Sequence, residues 1–192
     1  MSGGRPGDGS DGSFKPRTAL VLGGARSGKS TFAERLAEQT GLQKVYVATS
    51  AAFDTEMEER IGTHRHRRGP SWITIEEQLN LKDVLLRESA PDRVILADCL
   101  TLWLSNLTFS GKDIGEETAA LCETVAHLKG PCIFVSNEVG LGIVPENRLS
   151  RSFRDAQGRL NQDMAEVCTQ VVFLAAGQPL LLKPRTQPDI TL

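Results

Sequence analysis

Short apolar runs alternate with amphipathic stretches along most of this chain. The runs Thr18–Leu22, Lys44–Ala48, Trp72–Ile75, Arg93–Ala97, Cys132–Ser136 and Val171–Ala175 predict strands. Most are continuous rather than alternating, the pattern of strands covered on both faces. A last run, Leu180–Lys183, follows Gly177-Gln178-Pro179 so closely that only a hairpin fits, which predicts an antiparallel edge strand. Helical spacing fills the gaps. Ser30–Glu38 places Phe32, Ala33, Leu36 and Ala37 on one face, with Gly41 as its stop. The longest helix is predicted from near Glu146, with Leu149, Phe153, Ala156, Leu160, Met164 and Val167 forming a packing stripe. Strand and helix repeated in this way predict an α/β fold. Its central sheet is mostly parallel, with helices on both faces and an antiparallel C-terminal edge strand.

Residues 1–16 are rich in Gly, Ser and Asp and read as a flexible N-terminal tail. Residues 17–184 read as a single domain, and 185–192, polar and proline-bearing, as a loose C-terminal tail. At 192 residues, one domain is the default, and 40% hydrophobic with 24% charged residues is the balance of an ordinary globular protein. The formal net charge of −2 argues against nucleic acid as the main partner, since such domains carry excess basic charge. Cys99, Cys122, Cys132 and Cys168 contain no C-x-x-C pair, so reduced, buried thiols are expected rather than a zinc site. No apolar run is long enough for a membrane helix, and the expected location is cytoplasmic.

The strongest chemical signal is Gly23-Gly24-Ala25-Arg26-Ser27-Gly28-Lys29-Ser30, which fits the phosphate-loop pattern G-x-x-x-x-G-K-[ST]. It follows an apolar strand and opens a helix, the setting that makes the pattern meaningful. Successive backbone N–H groups and the positive end of the helix dipole would cradle phosphate oxygens. Lys29 would reach the β- and γ-phosphates, and the Ser30 hydroxyl would ligate Mg2+. The run Val94-Ile95-Leu96-Ala97-Asp98 has the form of a Walker B strand, with Asp98 beside the phosphate loop as the second oxygen ligand of Mg2+. Asp98 also reads as an N-cap for the segment starting at Leu100. The pattern therefore predicts a P-loop NTPase fold that binds GTP or ATP.

From Arg60 to Arg68 there are four arginines and two histidines in nine residues. Arginines beside a nucleotide would hold its phosphates by forked hydrogen bonds. A neutral imidazole among them could attack phosphorus and form a phosphoramidate. A solvated basic loop or an RNA contact fits the same spacing. Asn137-Glu138-Val139-Gly140 follows a strand and belongs to the class of loops that line ligand crevices in such sheets. Arg148, Arg151, Asp155 and Arg159 are spaced for helical ion pairs, and His127 reads as a surface residue.

Five segments stand in order at compatible distances: GGARSGKS, VYVATS, RIGTHRHRRGPSWITIE, VILADCLTLWLSNL and SNEVGLGIVPENRLSRSFRDAQGRLNQ. Together they resemble the bifunctional adenosylcobinamide kinase / adenosylcobinamide-phosphate guanylyltransferase family of cobalamin synthesis, across about residues 18–183. The resemblance implies two reactions: phosphorylation of adenosylcobinamide by ATP or GTP, then transfer of GMP from GTP through a guanylylated histidine. The family histidine corresponds to His64, four residues after Arg60. The same likeness implies guanine-nucleotide contacts from Gly23 to Ser30, from Ala48, Thr49 and Ser50, from Arg65, His66, Arg67 and Arg68, and from Glu76 and Asp98. His66 falls at a variable family position. The resemblance further implies a homotrimer acting on a small corrinoid substrate. Gly69 separates Arg68 from Pro70 where the family runs arginine straight into proline, a departure downstream of His64. Two alternatives stand beside this reading: a plain small-molecule kinase and a RecA-like, nucleic-acid-binding NTPase.

Overall fold

The computed structural model describes residues 17–50 and 70–184. His64, Arg65, His66, Arg67 and Arg68, and both expected tails, lie outside the described residues. Seven strands form one sheet. They are β1 (Thr18–Gly23), β2 (Gln43–Ala48), β3 (Trp72–Glu76), β4 (Arg93–Asp98), β5 (Cys132–Asn137), β6 (Gln170–Ala175) and β7 (Gln178–Lys183). Five helices are described: α1 (Lys29–Glu38), α2 (Leu81–Glu88), α3 (Leu100–Ser110), α4 (Ile114–Ala126) and α5 (Arg148–Val167).

The strand order is β3-β2-β4-β5-β1-β6-β7, and every pairing is parallel except β6 with β7. The continuous apolar runs form the interior strands because each is covered on both faces; all six residues of β1 are buried. β7 is the antiparallel edge. It includes Pro179, which is tolerated there because an edge strand has unpaired backbone positions.

Two cores flank the sheet. On one face Leu20, Val45, Ile95 and Phe134 pack against α2, α3, α4 and α5 through Leu85, Trp103, Leu121 and Leu160. On the other, Val21, Tyr46, Leu96 and Val135 pack against Ala33 and Ala37 of α1. These two sets interleave along each strand, as the two-residue side-chain period requires.

The long helix departs from its expected stripe. Asn147, not Glu146, sets its start by accepting a hydrogen bond from Ser150 N at 2.7 Å. Leu149 and Val167 are exposed, and the buried face includes Gln157 and Asn161 beside Leu160 and Met164. The inward stripe is therefore partly polar, and its amides are paired with the tip of β5. The expected ion-pair ladder does not form: Asp155 meets Arg154, while Arg151 donates to the carbonyls of Pro145 and Glu146. His127 is the exposed C-cap of α4. All four cysteines are free, three of them buried and Cys122 half-buried. No helix among the described residues is long and apolar enough to cross a membrane.

Where β4 and β5 begin, the chain approaches itself closely. Ser89 Oγ accepts from Lys129 N at 2.6 Å and from Gly130 N at 3.1 Å. A Cβ on Gly130 would collide with the carbonyls of Ala90 and Arg93, both backbone atoms that cannot swing aside. Gly130→Ala is therefore expected to lower unfolding free energy by about 3 kcal/mol. A urea titration should show an earlier midpoint at unchanged slope.

Candidate functional site

The C-terminal ends of the parallel strands converge on one place. β1 ends in Gly23, and Gly23–Ser30 turns directly into α1. Gly28 sits at the N-cap of α1 with φ 98°, a left-handed conformation that glycine adopts without steric cost. No side chain caps this helix, so its first-turn amides and dipole are directed at whatever anion occupies the loop. Ser27 Oγ is buried without a hydrogen-bond partner, a group that a phosphate oxygen would satisfy.

Lys29 is buried, and its Nζ donates to Gly24 O at 2.6 Å. Burial pushes its ammonium below the ordinary lysine pKa, against the opposing pull of Cys99 and Asp98. Burial and the Asp98 charge push the Cys99 thiol up to about 12. That thiol is neutral at pH 7, so the Asp98 carboxylate is the group that supports the Lys29 charge.

Asp98 is the last residue of β4, and Tyr46 Oη donates to its Oδ2 at 3.3 Å. It is not the N-cap of α3; Cys99 holds that position while Asp98 still belongs to the strand. Nor is its strand the neighbour of β1, because β5 lies between them. Ala48 pairs with Asp98 on one side and Glu76 on the other, so three predicted residues end adjacent strands at one level. Leu96 and Trp72 face α1, and the two-residue alternation puts Asp98 and Glu76 on that face too.

Thr49 is turned inward. Its Oγ1 donates to Cys99 O at 2.7 Å and accepts from Cys99 N at 2.8 Å, a clasp between the tips of β2 and β4. Ser50, half-buried, follows the tip of β2 and is the last described residue before the segment that holds His64 and the arginines, which lies outside the described residues.

Several further residues, none of them assigned a contact by the sequence, support the site. Asn106 of α3 donates to Thr49 O at 2.8 Å and Gln78 O at 3.1 Å, binding the loops after β2 and β3 together. Gly177, in the β6–β7 turn, donates to Ser27 O at 2.9 Å and so buttresses the phosphate loop from the edge of the sheet. The hairpin itself was legible as Gly177-Gln178-Pro179; its contact with a loop about 150 residues earlier was not. Glu138 N donates to Gly23 O at 3.0 Å, and the Glu138 carboxylate turns back to Gly140 N.

Ser30 and Asp98 offer a hydroxyl and a carboxylate, the hard oxygen donors Mg2+ takes beside phosphate oxygens and water. The donor chemistry fits that ion.

An uncapped phosphate loop, a buried lysine and a carboxylate-tipped strand in this sheet order define a P-loop nucleotide-binding protein of RecA-like architecture. The chain belongs to the cobinamide kinase / cobinamide phosphate guanyltransferase family, which it matches over residues 19–182. It is 49% identical over 166 residues to the bifunctional adenosylcobalamin biosynthesis protein CobP of Pseudomonas aeruginosa, covering 85% of this chain and 96% of that protein. It is 37% identical over 179 residues to the bifunctional adenosylcobalamin biosynthesis protein CobU of Escherichia coli, covering 85% and 98%. A solved ATPase from the type III secretion system of pathogenic bacteria shares the fold at 10% identity and a TM-score of 0.52, covering 83% of this chain and 51% of that one.

Proposed function

We propose that this protein phosphorylates adenosylcobinamide with ATP or GTP and then transfers GMP from GTP to the product through His64, giving adenosylcobinamide-GDP. The observation that carries the reading is the uncapped phosphate loop with buried Lys29 supported by Asp98, in a chain of this family.

In the first reaction the acceptor's hydroxyl oxygen attacks the γ-phosphorus. The bond to the β–γ bridging oxygen breaks, and the hydroxyl proton leaves to solvent. The loop amides and Lys29 hold the phosphates in line and stabilise the charge that moves onto the leaving nucleotide. In the second reaction a ring nitrogen of His64 attacks the α-phosphorus of GTP and pyrophosphate departs from the same cradle. An oxygen of the cobinamide phosphate then displaces the imidazole. Ser30 and Asp98 would hold Mg2+, which when bound would supply neutralising charge to the phosphate oxygens. Arg65, Arg67 and Arg68, with Glu76, Ala48 and Ser50, are assigned to the nucleotide's remaining groups, and His66 to a peripheral place among them. Thr49 shapes that wall through its backbone.

The assembly we propose is a homotrimer in the cytoplasm. Exposed Leu141, Ile143 and Val144 near the site, and Leu180, Leu181 and Leu182 on the edge strand, provide apolar surface for subunit contact.

Incubation with GTP labelled at the α-phosphate tests the reading. Acid-labile, base-stable label should appear on the protein and pass to added adenosylcobinamide phosphate. Absence of label with γ-phosphate transfer retained would reduce the protein to a simple kinase. Nucleic-acid-stimulated hydrolysis with a steep salt dependence would replace the reading altogether.

A further inference from the structure

Asn137, expected to open a crevice-lining loop, has no contact in the reading above, yet the fold treats it unusually. It is the last residue of β5, the strand inserted between the phosphate-loop strand and the Asp98 strand. Both of its backbone groups are held by side chains from different helices. Asn137 N donates to Thr101 Oγ1 of α3 at 2.9 Å, and Asn137 O accepts from Asn161 Nδ2 of α5 at 3.1 Å.

The second clamp is itself braced. Ser136 Oγ donates to Asn161 Oδ1 at 2.7 Å, and Gln157 Nε2 lies 3.0 Å from both Ser136 Oγ and Asn161 Oδ1. Ser136, Gln157 and Asn161 are all buried. Such a network fixes one backbone arrangement, because any slip would strand polar groups away from water. What it fixes is the tip of β5. The side chain of Asn137 takes no part in it and has no hydrogen-bond partner among the described residues.

The direction of that side chain follows from the strand's alternation. Cys132 and Phe134 face the α3–α5 core and Ser136 bonds α5; Ile133 and Val135 face α1. Asn137 therefore presents its amide on the α1 face, the face of Lys29 and Asp98. In register it lies level with Gly23, the first residue of the phosphate loop, while Asp98 is level with Val135. Two residues of strand, about 6–7 Å, carry the amide past Asp98 toward the mouth of the site. A triphosphate seated on the loop amides would carry its terminal phosphate past Lys29 toward this mouth, where half-buried Asn137 offers a neutral donor.

We infer that Asn137 is a terminal-phosphate contact: its Nδ2 donates to a γ-phosphate oxygen, distinguishing triphosphate from diphosphate and positioning the γ-phosphorus for the kinase step. The inference rests on the nucleotide reading given above and deepens it.

Equilibrium binding of a non-hydrolysable GTP analogue and of GDP, with Mg2+, to the full chain and to Asn137→Ala tests it. Loss of a hydrogen bond to a charged oxygen should weaken the triphosphate analogue about tenfold or more and leave GDP within about twofold. Asn137→Asp supplies a control that packing alone would not move. It preserves the shape of the side chain but sets a carboxylate against phosphate, so it should bind the analogue more weakly than Asn137→Ala does. Both variants keep the backbone clamps, so their melting temperatures should stay near wild type. If both nucleotides bind the wild type and Asn137→Ala leaves their ratio unchanged, the assignment of Asn137 fails while the phosphate loop stands. If neither binds the wild type, the loop reading fails and this inference with it.

Discussion

Lys29→Ala should lower phosphoryl transfer and guanylyl transfer together, each by about a hundredfold or more. The two reactions attack different phosphorus atoms, but both push negative charge onto phosphates lying in the same loop. In the kinase step the charge develops at the β–γ bridge; in guanylylation it develops on departing pyrophosphate. A buried ammonium pre-set beside those oxygens stabilises either transition state without waiting for solvent to reorganise. A hundredfold loss corresponds to about 2.7 kcal/mol, the size expected for one charged donor in a water-excluded site. The structure provides such a donor: Lys29 is buried, anchored to Gly24 O at 2.6 Å, and its desolvation is opposed by the charge of Asp98. Removing it also strips Asp98 of its countercharge, so circular dichroism and a melting curve must accompany the kinetics. Lys29→Arg keeps the charge but not the point-like ammonium geometry and should recover only part of the rate. A folded Lys29→Ala enzyme that kept either reaction within a few-fold of wild type would separate that reaction from the phosphate loop.

The elements that carry this site were readable from the chain because they are local. An apolar run into a glycine turn into a helix is specified by residues 18–38 alone, and the observed strand and helix bounds differ from the expected ones by a residue. The residues that hold the loop in place were not readable, because they come from far away. Gly177 reaches Ser27 O only once the β6–β7 hairpin sits at the sheet edge, and nothing in Gly177-Gln178-Pro179 names that partner. The insertion of β5 between β1 and β4 is likewise a property of strand order, which apolar runs do not encode. The apolar stripe expected for the long helix omits two inward polar residues for a related reason. Gln157 and Asn161 look like solvent positions until Ser136 and the carbonyl of Asn137 are set opposite them. Thr49 was legible as part of a nucleotide motif, but its hydroxyl is spent on the peptide of Cys99, a pairing between strands about fifty residues apart.

His64→Ala should abolish guanylyl transfer and spare most of the kinase rate. Covalent catalysis divides one displacement at the α-phosphorus into two, and a methyl group in place of the imidazole leaves no atom to form the first bond. The kinase step asks nothing of that ring: its nucleophile is the acceptor's own hydroxyl, and its charge stabilisation comes from the loop amides and Lys29. The asymmetry between the two variants is therefore the decisive quantity. Lys29→Ala strikes both reactions because the phosphates are common to them; His64→Ala strikes one because the nucleophile is not. His64 stands four residues after Arg60, in the segment between β2 and β3 that lies outside the described residues. The measurement is label from α-labelled GTP retained on the protein, set against γ-phosphate transfer to adenosylcobinamide in the same preparation. His66→Ala, in the same segment, should keep the label. Equal loss of both activities in a folded His64→Ala protein, or label persisting without His64, would overturn the division of labour and move the nucleophile elsewhere.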